Sequence, residues 1–428
     1  CLFWPVRDQH LSPRNGFSHH ISSPTADKGE SADHKQHLQE IDDTNKMSET
    51  TTVLAGVPAV NMTLFHRLRF SVGDSAFFAE LPNGQTILLV RDIEMDRARK
   101  LARADRIGCA SEFTPQNGLD GDRDTALAQA GAECLRQAGV STVCADRTLP
   151  YLFAHHLQVV GITLQYDKDF GVLERRVKDD EEQGNLRAVQ AVTEDAMQMA
   201  CSLIARAPAD VDGVLQHKGV PLTSERVRQL ISRFVLDHDC TTLHDSIVVT
   251  IPHVADCHHF GKGPLRNNLP VIVDIFPTHN HTHYCGDCTR TVVNGDPSDT
   301  IRDMHDCVVK ANLAGCEALR PGITGEAVHE TVSEVIRSGG YAMGQPPDDA
   351  DEEFVGMRHG TGHGIGLDVH EPILLAKGGG KILEGEVFTV EPGLYSAKYG
   401  GVRVEDMVVV VAEGHENFNK LHSNLDWK

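Results

Sequence analysis

The sequence predicts an α+β protein built as two domains, and three observations carry that prediction. Between about Val53 and Arg176, short apolar runs alternate with helical patterns. Near Lys178 a charged stretch passes into a long amphipathic one, the composition of a boundary that leads into a helix. Beyond it, strand-like runs are interleaved with helical ones, and carboxylates stand inside the strands where apolar residues belong. The expected division is an extension over residues 1–46, an α/β amino-terminal domain over 47–177 and a larger domain over 178–428. A chain of 428 residues has enough material for two separate cores.

The elements follow in order. Residues 1–46 show no sustained period and carry His10, His19, His20, His34 and His37, while Met47 opens "MSETTTVL" like an ordinary protein start. They are expected to lie outside the fold. "QTILLVRD", "STVCADRTLP" and "ITLQYD" read as strands, and "DTALAQAGAECLRQAG" reads as a helix stopped by Gly139. In the second half "LTSERVRQLISRFVL" is an amphipathic helix with Thr223 as its cap. Strands are expected at "DSIVVTI", "PVIVDIF", "EVFTVEP" and "GVRVEDMVVVV". Between them "TIRDMHDCVVKANLAGCEALRPG" and "TGEAVHETVSEVIRSGG" read as helices ending at glycine.

Composition removes several function classes. A formal charge of −21 argues against a surface that neutralises phosphates, so neither nucleic acid nor membrane is expected as a partner. The apolar runs are strand-length, far short of the roughly 20 residues a membrane span needs. Eleven cysteines, an odd number scattered through the chain, do not form the dense paired framework of a small secreted domain, and a cytoplasmic location is the simpler reading.

The polar residues inside strands need a reason. Asp274 sits in "VIVDIF", Glu391 ends "VFTVE", Glu405 lies in "VRVED", and Asp287 stands between two cysteines in "YCGDCTRT". A carboxylate flanked by β-branched residues is costly to bury unless it is paired or binds a cation. Any one of these could lie on a solvated strand face. Together they suggest a shared cation. "RHGTGHGIGLDVHEP" adds His359, His363 and His370 in a glycine-rich stretch. His359 and His363 are four apart, as in a helical zinc motif, but no glutamate follows the first and the glycines oppose a helix.

In the order "VDIF", "GDCTRT", "HGTGHGIGLDVHE", "VEPG" and "VRVED", the sequence resembles the pita-bread-fold metallopeptidases, the family of Xaa-Pro aminopeptidase, prolidase and methionine aminopeptidase. The match spans roughly Asp245 to Val411, and the upstream domain resembles the creatinase-type α/β domain of the proline-specific members. The resemblance implies metal ligands at Asp274, Asp287, His363, Glu391 and Glu405, with Asp287 and Glu405 bridging. Asp287, not Cys285 or Cys288, is then the chemistry of "YCGDCTRT". No second CxxC completes a sulfur site, and a redox pair belongs at a helix start rather than before "TRTVV". Asp274 and Asp287 are 13 positions apart, wider than is usual in the family, and the extra "HNHTH" is expected in a hairpin loop with His279, His281 and His283 facing solvent.

The implied chemistry is that of a dinuclear hydrolase cleaving the amino-terminal residue from Xaa-Pro peptides or dipeptides. Two divalent ions about 3.5–4 Å apart, manganese first with zinc or cobalt possible in vitro, would hold a bridging hydroxide as nucleophile. Glu391 would accept the proton of the water. His258 in "DCHHFG", with His259 as its competitor, would contact substrate, and His370 would hydrogen-bond the substrate carbonyl or the tetrahedral intermediate. Arg403 would pair with the carboxylates and His359 would line the substrate pocket. The partner is a proline-containing peptide, and a homodimer is common in the family. The alternatives are a methionine aminopeptidase, a metal-free creatinase-like hydrolase, and a binding protein that keeps the fold without catalysis.

Overall fold

The computed structural model describes residues 50–428; the expected extension over 1–46 lies outside the described residues. Two compact units divide at Lys168/Asp169. The junction expected near Lys178 thus falls inside the second unit.

The first unit is a six-stranded mixed sheet. Its strands are β1 (Thr51–Gly56), β2 (Ala76–Glu80), β3 (Thr86–Val90), β4 (Arg106–Cys109), β5 (Thr142–Ala145) and β6 (Thr163–Tyr166), in the order β4-β3-β2-β1-β5-β6. β1, β2 and β3 form an antiparallel meander, while β3–β4, β1–β5 and β5–β6 are parallel. Helix α1 (Arg123–Gln137), capped by the Asp122 carboxylate on the Thr125 N–H, and α2 (Tyr151–Val159) cover the core around Phe77 and Phe153, whose rings stack at 6.1 Å.

The second unit opens on α3 (Asp180–Arg206), started by a reciprocal capping box between Asp179 and Glu182. Its buried stripe, including Leu186, Val189, Gln190, Thr193 and Met197, packs on the hairpin of β8 (Pro270–Ile275) and β9 (Cys288–Val293), whose three-stranded sheet is completed by β7 (Ile247–Val249). α4 (Ser224–Leu236) begins at Thr223, whose hydroxyl accepts from the Arg226 N–H at 3.3 Å. α5 (Asp299–Ala318) and α6 (Gly325–Ser338) pack together beneath the other strands. α5 stops before Pro321 rather than at a glycine, because its cap Leu319 is already extended (ψ 119°).

A five-stranded sheet runs β11 (Glu371–Leu375), β10 (Gly362–Gly364), β12 (Val387–Val390), β15 (Asp406–Val411), β16 (Gly414–Asn417). A four-stranded sheet holds β13 (Gly393–Ser396) beside β14 (Gly400–Arg403). Here the structure corrects the sequence reading. "GVRVEDMVVVV" is not one strand but two, β14 and β15, in different sheets, with Val404 and Glu405 at the crossing. The Glu405 N–H donates to the Thr289 carbonyl at 3.0 Å, so the crossing residue is tied to β9 instead of to either of its own sheets.

Candidate metal centre

Register brings the carboxylates together. In the β8–β9 hairpin Asp274 lies opposite Thr289, which places Asp287 just before β9 beside the same end of β8. The 13-position spacing is absorbed as expected, by a short excursion in which Thr278–His279 pairs with Cys240–Thr241 and Thr278 bridges Cys285. His281 is exposed there, but His279 and His283 are half-buried, and His279 Nδ1 accepts from the Thr282 N–H at 3.2 Å. The expectation of three solvent-facing histidines therefore holds for His281 alone, because His279 closes the turn.

Close packing explains the glycine before Asp287. A Cβ on Gly286 would sit 2.1 Å from Thr193 Oγ1 of α3, so only glycine lets the hairpin reach the helix. The helix then grips the backbone of Asp287: Gln190 Nε2 donates to its carbonyl at 2.7 Å, and Gln190 Oε1 accepts from its N–H at 2.9 Å. Gly362 has a similar role beside His363, since a Cβ there would stand 1.9 Å from the Thr389 carbonyl of β12.

Asp287, His363 and Glu405 offer ligand atoms that all lie within 4.8 Å of one another. His363 Nδ1–H donates to the Gly364 carbonyl at 3.0 Å, which leaves Nε2 with its lone pair aimed at the carboxylates, 3.9 Å from Asp287 Oδ2 and 3.8 Å from Glu391 Oε1. Asp274 and Glu405 join through Arg403 and Thr289. Arg403 Nη2 donates to Asp274 Oδ2 at 2.7 Å, and Thr289 Oγ1 donates to Glu405 Oε2 at 2.8 Å.

The electrostatics are those of a cation site. Burial pushes the carboxyls of Asp274, Asp287 and Glu405 up, and their neighbours' charges push Asp287 and Glu405 further. Glu391 rises to about 8, first through burial and then against Asp274. His363 falls to about 3 through burial and the adjacent His370, so its imidazole is neutral and ligand-ready. Asp274 Oδ1 is buried with no hydrogen-bond partner among the described residues. Four crowded carboxylates, an orphaned oxygen and a lone-pair nitrogen fit oxygen-loving divalent cations.

The remaining predicted residues surround this ring. His370 is exposed, its ring edge-on to His363 at 4.3 Å. His258 is exposed and within electrostatic reach of Arg403 and Asp274, whereas His259 stacks on His253 at 4.3 Å and accepts from the Gly261 N–H. His359 has both ring nitrogens engaged: Nδ1–H donates to the Gly360 carbonyl at 2.8 Å and Nε2 accepts from the Tyr395 hydroxyl at 2.8 Å. Arg403 Nη1 donates to the same hydroxyl at 2.9 Å, so Tyr395 links the two. Cys285 and Cys288 are buried, unpaired thiols; Cys285 Sγ donates to the Leu367 carbonyl and Cys288 Sγ accepts from Asn419 Nδ2.

Three contributors escaped the sequence reading. Gln190 is a polar residue on the buried stripe of α3, and that misplacement was the available signal. Tyr395 carried none. Glu371, next to His370, is held by Lys178 Nζ at 2.8 Å and by Arg175 and takes the Leu367 N–H at 3.0 Å, bracing the loop that presents His370. Burial would raise its carboxyl, but Lys178 and Arg175 outweigh it and hold it at about 2.

Comparison with known proteins agrees with this geometry. Residues 184–412 match the profile of metallopeptidase family M24. A probable dipeptidase PepE of Mycobacterium tuberculosis is 35% identical over 244 residues, covering 56% of this chain and 60% of the relative. A Xaa-Pro dipeptidase of Pyrococcus furiosus is 33% identical over 177 residues, 41% of this chain and 45% of that protein. The aligned part thus spans less than two thirds of these relatives' length. Among solved structures, a Xaa-Pro dipeptidase from Bacillus anthracis superposes with a TM-score of 0.72 at 22% identity, covering 91% of this chain and 99% of that one. An X-Pro aminopeptidase from Thermotoga maritima gives 0.72 at 21%, with 89% and 99% covered. The fold is theirs, a pita-bread unit preceded by an α/β unit.

Proposed function

The chain belongs to metallopeptidase family M24, and on that premise we propose that it is a dinuclear-metal hydrolase releasing the amino-terminal residue from Xaa-Pro peptides or dipeptides. The observation that carries this is the convergence of Asp287, His363 and Glu405, with Glu391 and the Arg403-paired Asp274 beside them. These five side chains, Asp274, Asp287, His363, Glu391 and Glu405, would hold the ions. Bound there, two divalent cations, manganese first, would polarise the scissile carbonyl and acidify a water.

The chain's own residues do the rest. Glu391, less buried than the other carboxylates and raised toward neutrality, accepts the proton from the attacking water and passes it to the leaving amine. His370, exposed beside His363, donates to the substrate carbonyl oxygen as charge develops there. Arg403 fixes Asp274 and, through Tyr395, orients His359, which lines the pocket by its ring face because both nitrogens are spent. His258 rather than His259 contacts the substrate, since His259 is committed to His253. Proline suits such a site because its tertiary amide brings no N–H that would need a partner.

A cytoplasmic setting is part of this reading. It is supported by ten cysteines that are all unpaired among the described residues. No helix among those residues is long and apolar enough to cross a membrane. A homodimer is likewise proposed, to be checked by sedimentation. The deciding experiment strips the protein, restores manganese and compares Ala-Pro, Ala-Ala, Ala-Pro-Ala and Met-Ala-Ala. Cleavage of the prolyl substrates far ahead of the others is expected. Preference for Met-Ala-Ala would make it a methionine aminopeptidase, and no cleavage by a fully loaded sample would make it a binding protein.

A further inference from the structure

A second group of donors lies beside the first and takes no part in it. The 3-10 turn His253–Ala255 ends at Asp256, and the chain then bends so that the carboxylate of Asp256, Sγ of Cys257 and a ring nitrogen of His258 come within 4.8 Å of one another. The backbone that presents them is pinned. The His258 N–H donates to Asp256 Oδ1 at 3.0 Å and the His259 N–H to the Asp256 carbonyl at 3.1 Å. From below, Arg358 Nη1 donates to the Ala255 carbonyl at 2.6 Å and Arg403 Nη1 to the Cys257 carbonyl at 3.4 Å. The next histidine turns away to stack on His253. Asp256 and His258 are exposed and Cys257 is half-buried, so the donors are reachable from solvent.

The donor chemistry differs in kind from the carboxylate ring. One sulfur, one nitrogen and one oxygen suit a soft or borderline ion of the zinc class, with water as a fourth ligand, and suit manganese poorly. Position matters as much. The Cys257 thiol lies in the field of Glu391 and Arg403, and His258 in that of Asp274, so the turn borders the catalytic ring. Arg403, one of the two guanidiniums against the turn, is paired with Asp274 at 2.7 Å.

We propose that Asp256, Cys257 and His258 form a separate zinc-class cation site whose occupation withdraws His258 from substrate and slows the enzyme. The binding half stands by itself; the inhibitory half rests on the peptidase reading. On binding, the Sγ–metal bond forms as one thiol proton leaves to solvent. Competition for a single imidazole then makes excess zinc an inhibitor of the manganese enzyme.

Cadmium reports on the binding half without any substrate. Titrated into manganese-loaded protein, it should give a thiolate-to-cadmium charge-transfer band that saturates at one ion per chain. Cys257→Ser should abolish the band, and Asp256→Asn should weaken it. Cys109→Ser, which removes the other half-buried thiol among the described residues, should leave it intact. In turnover, zinc should inhibit the intact enzyme, and Cys257→Ser should need about tenfold more zinc for the same inhibition while its basal rate is unchanged. A band that persists in Cys257→Ser, or no band in the intact protein, overturns the site. Unchanged zinc inhibition in that variant, with the band gone, overturns the coupling to turnover. Absence of peptidase activity leaves the cadmium result to decide the site.

Discussion

Replacing Gln190 with leucine tests whether the metal centre is held by its backbone as well as by its ligands. The side chain is fully buried, and its amide bonds both backbone groups of Asp287, N–H and carbonyl, at 2.9 and 2.7 Å. Leucine keeps most of the volume and the helix propensity, so the change is confined to those bonds and the one to Asn419 Oδ1 at 3.0 Å. Each buried backbone group left without a partner costs about 1–3 kcal/mol, so the two Asp287 groups together should cost on the order of 2–6 kcal/mol if the backbone stays where it is. Rotation of the peptide would relieve that cost and swing the Asp287 carboxylate off the others. Loss of a group that orients a ligand weakens metal binding by roughly 10–100-fold. Manganese titration by calorimetry on stripped protein reads this directly, with thermal melts of the stripped and loaded forms separating stability from affinity. Manganese affinity within about twofold of the parent, in a variant that is folded, would refute the idea that α3 aims Asp287.

Asp287→Ala should abolish peptidase activity and lower bound metal below that of the parent, measured by elemental analysis, because it removes a ligand shared by the crowded ring. Cys285→Ser with Cys288→Ser should keep most metal and most activity, since neither sulfur faces the centre; loss of metal from a folded double variant would reverse the assignment. Glu391 is raised to about 8 without metal, so the folded stripped protein holds a proton that the unfolded chain releases. Its contribution to stability is therefore greatest at low pH and falls as pH rises from about 5 to about 8, and melting of stripped protein should show that fall while manganese-loaded protein does not. The same proton should be expelled on metal binding near neutrality, visible as a dependence of binding heat on the buffer's ionisation enthalpy. Tyr395→Phe should cost about 1–3 kcal/mol of stability, because Arg403 and His359 both lose the hydroxyl between them, and it should raise KM more than it lowers kcat.

The sequence by itself singled out the residues proposed to hold metal. Carboxylates at Asp274, Glu391 and Glu405 inside apolar runs violate the pattern of a buried strand, and such a violation is legible without coordinates because burying a bare charge is so costly. The α/β alternation of the first unit, the capped helix at Thr223 and the hairpin around Asp287 were legible for the same reason, since each is written in local period and turn chemistry. What remained hidden depends on contacts between residues distant in the chain. "GVRVEDMVVVV" has the period of one strand, and only the pull of Thr289 on the Glu405 backbone shows why it must break. His258 and His259 are alike as candidates in the sequence, and the proposal of His258 leans on the stacking of His259 on His253, a contact no local pattern records. Gln190, Tyr395 and the Arg175–Lys178–Glu371 brace act on ligands or loops 8 to 196 positions away in the chain. Side-chain type is a local property, whereas the hydrogen-bond partner that aims it is set by tertiary packing, and no pattern along one strand or helix records it.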